Sequence, residues 1–195
     1  MILKKRDREI KAFFRNLDRG FFMDSFKEMA FVDEAVPIGH EQTISQPSLV
    51  LEMTLSLDLA PDSKVLEIGT GSGFQTALLA EFSGSVFTVE RIKELHQRAK
   101  ERLGELGYDN ISFKLDDGSF GWQENAPYDR IMVTAAASEI PEELISQLAP
   151  GGKMIIPVGS SFTQELRLIE KDDNGKLYST LLNQVRFVPL KGKYE

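Results

Sequence analysis

The chain has 195 residues, of which 42% are hydrophobic, and it contains no cysteine. Such a length is typical of one domain with an ordinary core, and the missing thiols exclude a disulfide scaffold, a thiolate zinc site and a cysteine nucleophile. With 23 Lys and Arg against 30 Asp and Glu, the net charge of −7 disfavours nucleic acid as a partner, because phosphate binding needs clustered basic residues.

The first part of the chain, residues 1–60, has mostly helical character. A helix is predicted at residues 46–57, with Pro47 in its first turn. The opening segment lacks the apolar run of a signal peptide, and no apolar stretch of about 18 residues could cross a membrane. We therefore expect a cytoplasmic protein without a membrane partner.

Strands and helices alternate through the middle of the chain. Short apolar runs bounded by turn residues predict strands, and apolar stripes at helical spacing predict helices. The predicted strands are 64–68, 85–89, 111–115, 129–134 and 153–158, and the predicted helices are 74–82, 91–106 and 141–148. Because such alternation produces parallel pairing with right-handed crossovers, we predict a doubly wound, mostly parallel Rossmann-like α/β sheet.

The end of the chain predicts an antiparallel hairpin instead. Residues 164–170 and 176–188 are strand-like, and Asn174-Gly175 between them is a strong turn signal because both residues tolerate positive φ. We therefore predict one domain over residues 1–195, with a helical N-terminal segment at 1–60, a Rossmann-like core at 61–195 and a hairpin that closes the sheet.

The most informative stretch is VLEIGTGSGF at residues 65–74, a strand that leads into a glycine-rich turn and then a helix. Glycine allows the sharp turn and lets a ligand approach the free amides of the helix start. A dinucleotide-binding loop would have a third glycine at position 74, which is Phe74 here. Glu67 before the loop would repel a pyrophosphate but suits a ligand that carries an ammonium group.

Two further carboxylates follow the next two predicted strands. Glu90 comes about 20 residues after the glycine loop, where a carboxylate can accept hydrogen bonds from ribose hydroxyls. Asp117, beside Gly118, follows the third strand, where it could accept from an adenine amino group. Each carboxylate could instead cap a strand end or a helix start. Together, a ribose, an adenine and an ammonium group without phosphate describe S-adenosylmethionine.

The end of the fourth strand indicates the kind of methyl acceptor. Methyltransferases that act on exocyclic amino groups of bases or on glutamine carry an Asn/Asp-Pro-Pro-aromatic element there, whereas this chain has MVTAAA at residues 132–137. The small apolar residues count against an amine substrate.

The segment VPIGHEQTISQP at residues 36–47 resembles the hallmark of protein-L-isoaspartate (D-aspartate) O-methyltransferases. The resemblance extends from about Phe31 to Leu190 and is specific in the TISQP, VTAAA and VRFVPL segments. It implies methyl transfer from S-adenosylmethionine to the free α-carboxylate of L-isoaspartyl residues, with S-adenosylhomocysteine as product. The expected partners are isoaspartyl proteins and peptides, and we expect a monomer without a metal.

The resemblance also implies roles for individual residues. Ser45 matches the active-site serine, although a serine just before Pro47 could equally be a helix N-cap. The expected substrate-binding residues are Thr43, Ile44, Val185 and Arg186. The expected cofactor-binding residues are Glu67, Gly69, Thr70, Gly71, Glu90, Asp117, Gly118 and Gln164.

The chain departs from the family pattern at three positions. Asp116 stands where the family usually has glycine, Ser48 where an aromatic residue is common, and Glu41 where glycine is frequent. These departures concern peptide preference more than reaction type. Of the two histidines, His96 is expected on the surface and His40 in a structural or exposed position.

Two other functions remain open at this point. One is an S-adenosylmethionine-dependent enzyme of the same fold that acts on a small molecule or RNA, and the other is a module that binds the cofactor without turnover. Because the proposed acceptor group is an anion, we expect its pocket to be neutral or basic although the whole chain is acidic.

Overall fold

The computed structural model describes residues 2–160 and 163–195. Its helices are α1 Ile2–Asn16, α2 Pro47–Ser56, α3 Phe74–Glu81, α4 Lys93–Glu105 and α5 Glu142–Gln147. Its strands are β1 Val36–Gly39, β2 Gln42–Ile44, β3 Lys64–Ile68, β4 Ser85–Glu90, β5 Ile111–Leu115, β6 Tyr128–Val133, β7 Leu148–Gly159, β8 Gln164–Lys171 and β9 Leu177–Val185.

Strands β3 to β9 form one seven-stranded sheet in the order β5-β4-β3-β6-β7-β8-β9. The pairs from β5 through β7 are parallel, and β8 and β9 add an antiparallel hairpin. Four of the five β3 residues are buried, as expected for a strand covered on both faces. The predicted sheet and hairpin are therefore confirmed.

Helices cover both faces of the sheet, with one apolar core on each side. On the α1 side, Phe74 contacts Phe14 and Phe22, with ring centroids 6.1 and 5.4 Å apart. On the other side, Leu144 of α5 packs in the same cluster as the buried Tyr194. Among the described residues, no helix is long and apolar enough to cross a bilayer.

The sheet reverses its winding direction at β3, which lies between β4 and β6. Thr134, just after β6, donates from its amide to the Ile68 carbonyl at 2.9 Å and from Oγ1 to the Gly69 carbonyl at 2.7 Å. Open α/β sheets bind ligands in the crevice at such a switch point.

Two sequence predictions about the ends of the chain were wrong. The segment 1–60 is not only helical, because β1 and β2 form a small hairpin whose turn residues His40 and Glu41 have φ of 54° and 60°. The last strand ends at Val185 instead of residue 188. The chain then crosses towards Ala136, whose amide donates to the Val188 carbonyl at 2.8 Å.

Candidate active site

Two cavities meet at the switch point of the sheet. The glycine-loop cavity, of about 820 Å³ including its open mouth, lies over the carboxyl ends of β3, β4 and β6. It is lined by residues 68–72, Glu90, Arg91, Gly118, Thr134 and residues 188–191, among others.

The second, the α2 cavity, has a volume of about 1310 Å³ and lies between α2 and residues 183–188. The two cavities share a wall whose members line both of them. These shared residues are Thr43, Ser45, Thr134 and Val188. A group bound in one cavity can therefore reach a group bound in the other past Ser45.

The glycine loop presents backbone to its cavity because three of its residues adopt positive φ. Gly69, Gly71 and Gly73 have φ of 93°, 55° and 89°. A Cβ on Gly69 would lie 2.4 Å from Thr134 Oγ1, whereas a Cβ on Gly71 would meet nothing closer than 3.9 Å. Gly69 is therefore needed for packing, and Gly71 leaves the loop open towards a ligand.

Glu90 lies at the end of β4 on the wall of the glycine-loop cavity. Its Oε2 accepts from the Gly71 amide and its Oε1 from the Ile92 amide, each at 2.9 Å. The carboxylate thus caps backbone amides, which is the structural role that the sequence left open beside ligand binding. Each oxygen keeps a second lone pair with which a ribose hydroxyl can bond.

Asp117 lies in a crevice that continues the glycine-loop cavity, because Arg91 and Lys191 line both. Its Oδ1 accepts from the Ser119 amide at 2.9 Å. The departure Asp116 turns towards Lys114, with Oδ2 2.9 Å from Nζ, which lowers the pKa of Asp116. Asp116 is therefore already paired.

Glu67 lies beneath the glycine-loop cavity and does not line it. The side chain is fully buried, and its Oε2 accepts from Thr76 Oγ1 at 2.6 Å and from Thr88 Oγ1 at 2.7 Å. Thr88 in turn contacts Thr70 Oγ1 of the glycine loop at 2.6 Å. Burial raises the pKa of Glu67 to about 8, with Glu90 adding to the rise and the two threonines opposing it. Glu67 is predicted to contact a ligand directly, but it does not line the cavity. It is linked to the cavity wall through Thr88 and Thr70.

Gln164, also predicted to bind the cofactor, lines the α2 cavity instead. It is buried, its Nε2 donates to the Phe187 carbonyl at 3.0 Å, and its Oε1 accepts from the Phe187 amide at 2.6 Å. Gln164 therefore fixes the segment that contains Val185 and Arg186, both of which line the same cavity.

Ser45 does not cap α2. The residue at the cap position is Gln46, whose side chain makes no capping bond. Asp33 Oδ1 instead accepts from the Ser48 amide, at 2.8 Å. Ser45 Oγ has no hydrogen-bond partner in the described part of the chain. Its hydroxyl donor is therefore unused, and Ser45 lines both cavities.

The charged groups that line the α2 cavity fit the expectation of a neutral or basic pocket for the acceptor. Within residues 2–160 and 163–195, the α2 cavity has one acidic side chain, Glu52, and one basic, Arg186. The glycine-loop cavity has Glu90 against Arg91 and Lys191. In the described residues no cluster of His, Cys, Asp or Glu could hold a metal ion.

Sequence reasoning missed some residues of the site. Thr134 and Lys191 line the glycine-loop cavity, and Asp33 takes over the capping of α2. Thr134 directly follows a buried strand, so the strand order would have indicated its position beside the glycine loop. Asp33 gives no such signal, because it comes from a turn 15 residues before its partner.

The glycine-loop cavity lies at the switch point of the sheet and combines a G-x-G-x-G loop with Glu90, a carboxylate placed to bind ribose hydroxyls. With the second cavity beside it, this arrangement is that of an S-adenosylmethionine-dependent methyltransferase with a Rossmann-like fold. Comparison with known proteins then narrows the class. Residues 3–195 match the family "Protein-L-isoaspartate(D-aspartate) O-methyltransferase". The chain belongs to this family.

Named relatives and solved structures agree. The protein-L-isoaspartate O-methyltransferase of Dictyoglomus turgidum is 55% identical over 89% of this chain and 79% of its own length. That of Pseudomonas paraeruginosa is 52% identical over 90% of this chain and 84% of its own length.

A solved protein-L-isoaspartate O-methyltransferase has a TM-score of 0.86 and 30% identity over 99% of this chain. This chain spans 65% of the length of that structure. A putative protein-L-isoaspartate O-methyltransferase from Plasmodium falciparum, solved with S-adenosyl-L-homocysteine, has a TM-score of 0.76 and 30% identity over 89% of this chain and 85% of its own.

Proposed function

We propose that this chain transfers a methyl group from S-adenosylmethionine to the free α-carboxylate of L-isoaspartyl residues in damaged proteins and peptides, which initiates their repair. The observation that carries the proposal is the junction of two cavities at Ser45 in a chain of this family. One cavity suits a nucleoside, and the other, between α2 and an extended segment, suits a peptide.

The residues of the glycine-loop cavity fit the cofactor, which supplies the methyl group when it is bound. Gly71 leaves the loop open towards the ligand, and Glu90 keeps lone pairs for the ribose. Asp117 Oδ2, which bonds to no described residue, would accept from the adenine amino group, and Gly118 next to it lines the glycine-loop cavity. Glu67 would support the loop from below through Thr88 and Thr70.

The acceptor needs no general base, because a carboxyl group of pKa about 4 is ionised at neutral pH. In keeping with this, no histidine of the described residues lines either cavity. Ser45 would donate to the carboxylate and orient it. Ile44, Val50 and Phe74 give the junction apolar walls, which favours a reaction in which two opposite charges are lost.

Recognition of an isoaspartyl site must read the main chain more than the side chains. Residues 185–189 leave the sheet as an extended segment beside the α2 cavity, where Val185 and Arg186 can contact a peptide. The reciprocal bonds of Gln164 hold this segment at Phe187. We propose that Thr43, which lines both cavities, contacts the peptide as well, and that Ile44 lines the junction from the side of the glycine-loop cavity.

A competition between acceptors tests the function against its alternatives. The protein is incubated with methyl-labelled S-adenosylmethionine and, separately, an isoaspartyl peptide, a structured RNA and a small carboxylic acid. We expect label in the peptide alone, as a methyl ester that alkali hydrolyses. Label in the RNA or the small acid would support the first alternative, and cofactor binding by calorimetry without any labelled product would support the second.

A further inference from the structure

Arg19 is a buried cation bonded to main-chain carbonyls. Only 5% of its surface is exposed, and it makes no ion pair among the described residues. Its guanidinium instead donates to a ring of carbonyl oxygens. These belong to Met29 at 3.3 Å, Ala30 at 3.4 Å, Val32 at 3.1 Å, Glu34 at 2.7 Å, Ile44 at 3.5 Å and Ser45 at 3.2 Å.

These acceptors come from two separate segments, residues 29–34 and residues 44–45. A single guanidinium group therefore joins the turn before β1 to the backbone of Ser45. Burying a charge without a carboxylate costs free energy unless hydrogen bonds replace its water. The planar fork of arginine can serve several carbonyls at once, which the point charge of lysine cannot do in the same geometry.

Asp33 makes a second connection between the same segments. Its Oδ1 accepts from the Ser48 amide at 2.8 Å, and its Oδ2 from Gln46 Nε2 at 3.0 Å. The backbone bond from Ser48 is the main reason that the pKa of Asp33 is lowered. Arg19 thus holds the carbonyls of Ile44 and of Ser45 itself. Asp33 holds Gln46 and Ser48 just after Ser45, whose hydroxyl stays unbonded.

We propose that Arg19 and Asp33 are positioning residues that hold Ser45 at the junction of the two cavities. The proposal rests on the proposed function and adds to it two residues outside the described cavity walls. Neither side chain touches the reacting groups. Their effect is to fix the backbone on both sides of Ser45 without using its hydroxyl.

Kinetics of single and double variants test the proposal. Arg19→Lys should lower kcat for an isoaspartyl peptide by about 10- to 100-fold, as expected of a displaced catalytic group, and leave the Kd for S-adenosylmethionine unchanged. In a Ser45→Ala background the same change should have little further effect. The matched control is Arg130→Lys, because Arg130 also donates to carbonyls, of Asp58 and Asp129, far from the site. An equal loss in both backgrounds would overturn the proposal.

Asp33 provides a second variant at an exposed position, which keeps the test valid should Arg19→Lys fail to fold. Asp33→Ala should lower kcat, and Asp33→Asn, which retains an oxygen for the Ser48 amide, should restore most of it. Equal activity of Asp33→Ala and the unmodified protein would contradict the proposal.

Hydrogen exchange separates this proposal from the proposed function, because it needs no substrate. The amide of Ser48 should exchange faster in Asp33→Ala, and residues 44–48 should exchange faster in Arg19→Lys but not in Arg130→Lys. Unchanged exchange would reject the positioning role even if the protein is active. Faster exchange in a protein that methylates no isoaspartyl peptide would reject only the proposed function.

Discussion

At the scale of single residues, Ser45 lies on the wall that the two cavities share and keeps its hydroxyl unbonded. From the sequence, a serine just before Pro47 fits a helix cap as well as it fits catalysis. The structure decides against the cap because Asp33 bonds to the Ser48 amide. That contact could not be read from the sequence, since it depends on how the turn before β1 folds back.

Ser45→Ala is expected to lower kcat by about 10- to 100-fold, the value of one hydrogen bond to a charged group. The affinity for S-adenosylmethionine should stay the same, since the glycine loop is unchanged. Steady-state kinetics with an isoaspartyl peptide and calorimetry with the cofactor measure the two effects. Ser146→Ala, at an exposed serine of α5, is the matched control. Unchanged turnover would remove Ser45 from the mechanism.

Glu67 illustrates what burial adds to a motif. Its position before the glycine loop is evident from the sequence, but its depth under Thr70 and Thr88 is not. A carboxyl group of raised pKa releases its proton more readily in the unfolded chain than in the folded one. The pKa of Glu67 is 4.5 in the unfolded chain and about 8 in the folded protein. Its contribution to the free energy of unfolding therefore falls as the pH rises through this range.

Glu67→Gln should remove this dependence. Relative to the variant, the free energy of unfolding of the unmodified protein should fall by up to about 1.4 kcal/mol per pH unit between the two pKa values. Above the higher pKa it should fall no further. Urea unfolding at a series of pH values measures the difference. A difference that is constant with pH would show that Glu67 is ionised in the folded protein.

At the scale of elements, the alternation of strands and helices was readable because each buried strand is a short apolar run with turns on both sides. The glycine loop was readable because its spacing is specific. The β1 and β2 hairpin was not, because the two central residues of its turn, His40 and Glu41, have positive φ although neither is glycine or asparagine, and Gly39 before them gives no hairpin signal by itself. The length of β9 was also misjudged, since beyond Val185 the chain leaves β8 and its Val188 carbonyl accepts from the Ala136 amide.

An alanine substitution at Gly69 in the glycine loop should be more destabilising than the same substitution at Gly107, which has open space around it. Gly69→Ala would place a Cβ against Thr134 Oγ1, whose bonds to the Ile68 and Gly69 carbonyls would break. Gly107→Ala has a similar φ of 82° but nothing within 4 Å, so it should cost only about 1–2 kcal/mol of backbone strain. We expect Gly69→Ala to lose more stability and also cofactor affinity, as measured by urea unfolding and calorimetry. Equal losses in the two variants would show that the contact with Thr134 has no effect.

At the scale of the whole molecule, the net charge of −7 contrasts with the α2 cavity, whose two charged lining residues, Glu52 and Arg186, are of opposite sign. The local charge could not be derived from composition, because it depends on which few residues the fold brings to the cavities. The monomeric state and the cytoplasmic location stay predictions. Light scattering after size-exclusion chromatography measures the first.

The acidic surface should make activity depend on salt in a peptide-specific way. Raising the ionic strength from 0.1 to 1 M shortens the screening length from about 10 to about 3 Å. For an isoaspartyl peptide with acidic flanks, kcat/KM should rise with salt because repulsion weakens. For a peptide with basic flanks it should fall. The same response for both peptides would mean that the net charge does not affect substrate approach.

The account depends most on the claim that the α2 cavity accepts an isoaspartyl carboxylate at Ser45. The direct measurement is the rate of methyl-ester formation on an isoaspartyl peptide and on its normal aspartyl twin of the same sequence. We predict rapid esterification of the isoaspartyl peptide and none of its twin, because only the former has a free α-carboxylate on the altered main chain. Esterification of both at equal rates, or of neither, would contradict the account.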